Sequence, residues 1–308
     1  MAETIHITDV SPRDGLQNQA VHLSTDAKLE LIARLVAAGV NSVEATSFVS
    51  PKAVPQMADA GDLVPRVHAR FPQLRTSVLV PNLKGLERAR AAGAQEIAVV
   101  LSATETMNRK NINMGLDEAT EVSAQTVLAA HDKGLRTRAY VAVAFECPFE
   151  GKTPLAEVVR LAARMHATGA GEIVIADTIG AASPQEVRTL FAALRDVVPM
   201  DRLAVHMHDT RGLGAANAWA ALDAGVRRFD ASVGGIGGCP FAPGAAGNLA
   251  TEDLALMAET SGFATGLSLD GLLEAVDFAE QTLQRPLGGR SSAWLRRQRD
   301  KRRAVAGL

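Results

Sequence analysis

The chain has 308 residues, 47% of them hydrophobic, and a formal net charge of −2. That length suits one large domain or two moderate ones, and the near-neutral balance offers no electrostatic footprint for nucleic acid or a membrane surface. Two cysteines are too few for a disulfide framework and suit a reducing cytoplasm; the start lacks a signal-peptide pattern and no apolar run has membrane-spanning length.

In chain order, apolar β-branched runs fall at Ile5–Val10, Asn41–Ala45, Thr76–Val80, Glu96–Leu101, Arg136–Ala144, Glu172–Ala176, Leu203–His208 and Arg227–Val233. Between them lie stretches with helical spacing. Three close on a glycine: Asp26–Ala38 before Gly39, Leu83–Ala92 before Gly93, and Glu118–Lys133 before Gly134. Ser183-Pro184-Gln185-Glu186 reads as an N-cap, a first-turn proline and a capping-box glutamate, and Thr153-Pro154 repeats the first two elements. Strict alternation of strand and helix over about 250 residues predicts an α/β fold, a closed (β/α)8 TIM barrel, rather than an open sheet. An open sheet would place a dinucleotide fingerprint after the first strand, and Arg13-Asp-Gly-Leu-Gln17 is not one. The expected organisation is a catalytic barrel over residues 1–284 and a short C-terminal extension, 285–308. That tail is rich in arginine and weak in apolar periodicity. It reads as a solvated, partly disordered end, with a phosphate-binding basic arm as the sharper alternative.

His206 and His208, in Leu203-Ala-Val-His-Met-His-Asp209, carry the strongest local signal. Residues two apart on a strand share a face, so both imidazoles converge while Met207 turns away; two neutral imidazoles are half of a divalent-metal site. In a (β/α)8 barrel, chemistry sits at the carboxyl ends of the strands. Arg13 and Asp14 follow the first strand, Glu44 ends the second with Ser47 just beyond, and Asp177 ends the sixth. A glycine-rich loop from Gly234 to Asn248, containing Cys239, follows the eighth. All fall on one rim, which core packing explains poorly because charged groups are seldom buried without partners. Taken singly, each also has a structural use. Asp14 could cap a turn, Arg13 could bridge to Asp14 or Glu44, and Asp177 or Asn248 could cap the following helix. Cys239 could be a small buried apolar residue.

Five segments resemble the 3-hydroxy-3-methylglutaryl-CoA lyase family: Asp9-Val-Ser-Pro-Arg-Asp-Gly-Leu-Gln-Asn18, Val43-Glu-Ala-Thr-Ser-Phe-Val-Ser-Pro-Lys52, Asn108-Arg-Lys-Asn-Ile-Asn113, His206-Met-His-Asp-Thr210, and Gly237-Gly-Cys-Pro-Phe through Gly247-Asn-Leu-Ala-Thr-Glu-Asp253. The resemblance spans about Ile5 to Leu283 and implies a metal-dependent carbon–carbon lyase. It implies a Mg2+ or Mn2+ ion held by Asp14, His206, His208 and Asn248, with Arg13 and Cys239 catalytic and Glu44 and Asp177 supporting the site. Gln17, Ser47 and Arg211 are further candidates for substrate contact. An acyl-CoA substrate, a homodimer, a cytoplasmic setting and a place in leucine degradation or ketone-body metabolism are the associated expectations.

The implied reaction is a retro-Claisen cleavage of a 3-hydroxy-3-methylglutaryl-CoA-type thioester to acetyl-CoA and acetoacetate. An alcohol is too weak an acid for it near neutral pH unless a dication lowers its pKa. Permanently cationic Arg13 can meet charge developing on the thioester oxygen, and a thiol with a pKa of about 8.5 at Cys239 can protonate the enolate. The acceptor of the hydroxyl proton is left among Asp14, Glu44 and a water on the metal. The pattern departs from the family at Asp209-Thr-Arg-Gly-Leu-Gly214, where Arg211 replaces an aromatic residue. Arg211 is either a surface residue on the first turn of the next helix or a determinant of a related substrate, such as a longer-branched 3-hydroxyglutaryl-CoA or citramalyl-CoA. An acetyl-CoA-condensing synthase is a weaker alternative: such enzymes carry Gly-Glu-Arg where this chain has Gly237-Gly-Cys-Pro240, and usually a further domain. A catalytically silent binding barrel would leave the rim cluster without a purpose.

Overall fold

The computed structural model describes residues 2–238 and 247–305. Its strands are β1 (His6–Asp9), β2 (Ser42–Ser47), β3 (Arg75–Leu79), β4 (Glu96–Ser102), β5 (Arg136–Ala142), β6 (Glu146–Cys147), β7 (Gly151–Lys152), β8 (Glu172–Asp177), β9 (Leu203–Met207) and β10 (Arg228–Ala231). Eight of them close a parallel barrel in the order β1-β10-β9-β8-β5-β4-β3-β2, and β6 and β7 form an antiparallel hairpin on the loop after β5. The helices are α1 (Thr25–Ala37), α2 (Ala60–Arg70), α3 (Leu83–Ala91), α4 (Glu105–Ile112), α5 (Leu116–Asp132), α6 (Leu155–Ala167), α7 (Pro184–Leu194), α8 (Gly214–Asp223), α9 (Thr251–Thr260), α10 (Leu269–Leu283) and α11 (Ser292–Val305). The (β/α)8 expectation holds, each expected strand lying in the barrel. No described helix is long and apolar enough to cross a membrane.

The local signals work as their chemistry requires. Gly39, Gly93 and Gly134 adopt positive φ just beyond α1, α3 and α5, and Ser183 and Glu186 form the reciprocal capping box of α7. Thr153-Pro154 differs: Pro154 is itself the cap residue of α6, and the Thr153 hydroxyl donates to the Val143 carbonyl at 2.6 Å. That bond, with the Val143 amide donating to Thr178 Oγ1, holds Val143 at a positive φ of 50° and ends β5 two residues earlier than the apolar run suggests.

Strand parity decides what faces the barrel axis. On β9, Leu203, Val205 and Met207 pack into the aliphatic layer under the helices, so His206 points inward. Ile97, Val99 and Leu101 on β4, Ala139 and Val141 on β5, and Ile173 and Ile175 on β8 do the same. The interior consequently carries an ionic layer, Arg138 and Tyr140 from β5, Glu172 from β8 and Asp230 from β10, all buried. Their mutual hydrogen bonds compensate a burial that would be prohibitive for any one alone.

The tail departs from expectation. Residues 292–305 form α11, which rests on α10 through Arg296 to Asp277 and Glu280 (2.7 and 2.6 Å), Arg299 to Asp277 (3.1 Å), Arg302 to Asp270 (2.5 Å) and Arg303 to Glu274 (3.3 Å), with Leu295 buried beneath. The acidic stripe of α10 supplies the complement that apolar periodicity in the tail could not reveal. Those four arginines are each paired with a carboxylate of α10.

Candidate metal centre at the strand carboxyl ends

Asp14 follows β1 on a tight turn, Ser11–Gly15, whose amides fold back on the Val10 carbonyl. His206 lies within β9 and His208 just beyond it. Their potential ligand atoms, with one from Asp14, all lie within 4.8 Å of one another. Asn248 joins them through a bridge pairing with His208 and through its amide, which donates to Asp14 Oδ2 at 2.8 Å and to the Ile236 carbonyl at 2.9 Å. The proposed capping role for Asn248 is not taken up: Ala250 caps α9 without a side-chain bond. Asn248 Oδ1 is buried and has no partner among the described residues. A buried carbonyl oxygen left unbonded is costly, and a cation is the partner that this cluster of donors suits. Two glycines make the approach: a Cβ on Gly237 would collide with Asn248 Nδ2, and one on Gly247 (φ 104°) with the Gly235 carbonyl.

Each imidazole is oriented from behind. His208 Nδ1 donates to the Asp177 carbonyl at 2.9 Å, so Nε2 retains its lone pair. Burial, helped by the neighbouring His206, depresses the His208 pKa to about 4 and keeps it neutral. His206 Nδ1 faces Asp230 Oδ2 at 3.4 Å; Asp230 in turn accepts from Tyr140 (2.5 Å) and Arg138 (2.6 Å), and Arg138 donates to Glu172 at 2.6 Å. Burial disfavours charge on His206, yet the bond to Asp230 and the charge of Asp14 outweigh it and raise its pKa. Burial likewise opposes charge on Asp14, and Arg13, His206 and His208 overcome it, holding the carboxyl below its usual range. An ionised carboxylate facing two imidazoles, one of them held neutral with its Nε2 lone pair free, fits a dication.

Arg13 is buried and donates to Glu44 Oε2 from Nε (2.7 Å) and to Asp14 Oδ1 from NH1 (2.7 Å). Burial alone would lower its pKa, but those two carboxylates hold it above its ordinary value, so it stays charged. Glu44 is in the middle of β2, not at its end, because the strand runs on through Ser47; a bulge between Glu44 and Thr46 reorders the facing. Glu44 Oε1 has no partner among the described residues. Gln17 donates to Asp14 Oδ1 at 3.2 Å. Ser47 is 1% exposed and its hydroxyl accepts from the Val49 amide. Asp177 has the parity of the aliphatic layer, and its carboxylate accepts from the amides of Ala181 and Ala182 (2.8 and 3.0 Å) in the loop before α7. Burial raises its pKa to about 6. It reaches the metal cluster through its carbonyl. Arg211 stands in the turn before α8, half exposed, and donates to Glu146 of the hairpin at 3.0 Å. Cys239 lies outside the described residues.

The residues bounding the open mouth include Arg13, Asp14, Gln17, Tyr140, His206 and His208, with Val49, Leu79, Val80, Met107 and Ile112 as apolar walls. The enclosed space is about 290 Å³. Sequence reasoning missed Arg138, Tyr140 and Asp230. The available signal was charge at inward-facing positions of otherwise apolar strands, 138 and 140 being two apart and Asp230 in register with His206.

A (β/α)8 barrel whose carboxyl end gathers two imidazoles, a carboxylate and a carboxamide beside a buried arginine defines a metal-site barrel enzyme. A family model described as HMGL-like matches residues 4–278. The mitochondrial hydroxymethylglutaryl-CoA lyase of Mus musculus is 45% identical over 285 residues, 92% of this chain and 87% of that protein. The Bacillus subtilis HMG-CoA lyase structure superposes with a TM-score of 0.92 at 40% identity, covering 96% of this chain and 98% of its own. An HMG-CoA lyase from Acinetobacter baumannii, in complex with coenzyme A and 3-methylmalate, gives 0.89 at 38% identity over 94% of each. The chain belongs to the HMGL-like family.

Proposed function

We propose that this enzyme cleaves 3-hydroxy-3-methylglutaryl-CoA, or a close 3-hydroxyacyl-CoA homologue, to acetyl-CoA and acetoacetate or the matching 3-oxo acid. The observation that carries this reading is the convergence of Asp14, His206 and His208 with Asn248 Oδ1, which has no partner among the described residues, beside Arg13. Those four residues would hold Mg2+ or Mn2+, since oxygen donors with imidazole and no thiolate suit a hard or borderline dication. When bound, the ion supplies Lewis acidity that brings the substrate's tertiary hydroxyl within reach of a base near neutral pH.

The protein's own groups would do the rest. Arg13, locked by Glu44 and Asp14, presents a fixed positive charge where the thioester oxygen becomes negative, so little reorganisation accompanies the reaction. A lysine there would lose the two-sided clamp. Asp14 and Glu44 stay the protein candidates for taking the hydroxyl proton, Glu44 with an oxygen to spare. Cys239 would return a proton to carbon. The apolar walls and a space near 290 Å³ match a branched acyl group, leaving the nucleotide end of CoA outside. Arg211, committed to Glu146, supports the unmodified glutaryl substrate over one read by an altered pocket. A homodimer, cytoplasmic location and a role in leucine or ketone-body metabolism accompany the proposal, with residues 285–308 as an appended segment whose helix α11 braces α10. Incubation with Mg2+ and a panel of 3-hydroxyacyl-CoA thioesters, with products identified by mass, tests it. Acetyl-CoA with acetoacetate is expected, and release of neither from any thioester would overturn the reading.

A further inference from the structure

The end of the barrel away from the metal ligands holds a second, larger cavity of about 1120 Å³. Around it stand the first residues of five strands: Arg75, Glu96, Arg136, Glu172 and Arg228. Glu96 is fully buried and accepts from Arg75 (2.7 and 2.5 Å) and Arg136 (3.1 Å). Glu172 binds Arg138 at 2.6 Å, with Arg75 at 3.7 Å and Arg228 at 3.5 Å. Two carboxylates therefore serve four guanidiniums, of which Arg138 is shared with Asp230 inside the barrel. Arg202 adds a fifth, donating to the Gly171 carbonyl at 3.1 Å and standing 3.8 Å from Asp201, a third carboxylate on the cavity wall, so the guanidiniums still outnumber the carboxylates that line it. Side chains of Arg75 and Arg228 are one-third exposed, and those of Arg136 and Arg202 more than half exposed, so the cationic ends face the open space. The local field registers on His6 at the start of β1. Burial and then the charges of Arg228 and Arg75 lower its pKa.

Guanidiniums gathered on too few carboxylates repel one another, and an incoming anion relieves that repulsion. Their planar forks match the paired oxygens of phosphate or carboxylate. We propose that this amino-terminal mouth of the barrel is a binding site for a small, multiply charged oxyanion, a phosphate or a dicarboxylate, held by Arg75, Arg136, Arg202 and Arg228. None of these four arginines is a proposed metal ligand, although Glu172 on the cavity wall is the far end of the Arg138–Asp230 chain behind His206.

Isothermal titration of the metal-loaded enzyme with inorganic phosphate and, separately, with succinate tests this and tells the two chemistries apart. The comparison is Arg136→Gln with Arg202→Gln, two exposed positions whose loss leaves Glu96 its bidentate bond to Arg75. Saturable binding of at least one anion is expected, weakened about tenfold or more in the double variant. The variant's lyase activity without anion should match the parent. Arg202→Gln alone provides the same reading, in smaller measure, should the double variant fold poorly. Absence of saturable binding for both anions, or equal affinity in parent and variants, would overturn the proposal.

Discussion

Replacing Asp230 with asparagine probes the support behind the metal ligands. The carboxylate accepts from Arg138 at 2.6 Å and Tyr140 at 2.5 Å and faces His206 Nδ1 at 3.4 Å. Arg138 is 2% exposed, so the substitution leaves a buried guanidinium with Glu172 as its remaining close carboxylate. Breaking a buried ion pair costs about 3–5 kcal/mol, and a near-isosteric amide with one carboxylate surviving places this case near ~3 kcal/mol. At about 2.1 cal/mol/K of unfolding entropy per residue, a chain this long should lose roughly 5 °C in Tm. Weakening the acceptor behind His206 should also reduce Mn2+ affinity about 10- to 100-fold. Thermal melts and calorimetric titration with Mn2+ read the two effects separately. A Tm within about 1 °C of the parent, together with Mn2+ affinity within about twofold, would refute the idea that Asp230 supports both the core and the ligand.

Arg13→Lys should lower kcat by roughly 100-fold or more while thioester binding changes far less, because the loss falls on charge present only in the transition state; steady-state kinetics decide it. Cys239→Ala should retain Mn2+ and substrate binding while turnover falls about 100-fold or more, and near-normal turnover would remove Cys239 from the mechanism. Glu96 supplies a pH test. Burial pushes its pKa up, but Arg75 and Arg136 overcome this and hold it below 4.5. A depressed folded-state value means stability that is complete above pH 4.5 and is lost as pH falls through the depressed pKa. Glu96→Gln should therefore show a shallower acid loss of Tm below that pH, and parallel acid limbs would contradict the assignment.

The barrel was legible in the sequence because parallel strands buried on both faces read as continuous apolar runs separated by helical periods. Two-residue parity was enough to put His206 and His208 on one face, and the rule that barrel chemistry sits at the strand carboxyl ends placed Asp14 and the loop ending at Asn248 on the same rim. The same parity, applied to Asp177, would have turned its carboxylate toward the helix layer, where it binds two backbone amides. The strand-two bulge was not readable, since local composition around Ala45 carries no turn residue, and β2 runs on past it through Ser47, which leaves Glu44 in the strand interior. The support formed by Arg138, Tyr140 and Asp230 was hidden by distance: Asp230 is 90 residues from Tyr140 in the chain, and the two meet only when the barrel closes. The tail misled for a different reason. Its helix is held by ion pairs to α10, and a reading of apolar periodicity alone cannot see a charge-matched partner.

The whole scheme turns on a dication held by Asp14, His206, His208 and Asn248. The direct measurement is acetyl-CoA release from 3-hydroxy-3-methylglutaryl-CoA by enzyme stripped with a chelator and dialysed, before and after Mg2+ or Mn2+ is returned. Release should vanish on stripping and recover with added metal in the parent, with no recovery in Asp14→Ala or His206→Ala. Stripped enzyme that cleaves the thioester as fast as the untreated protein would contradict the account.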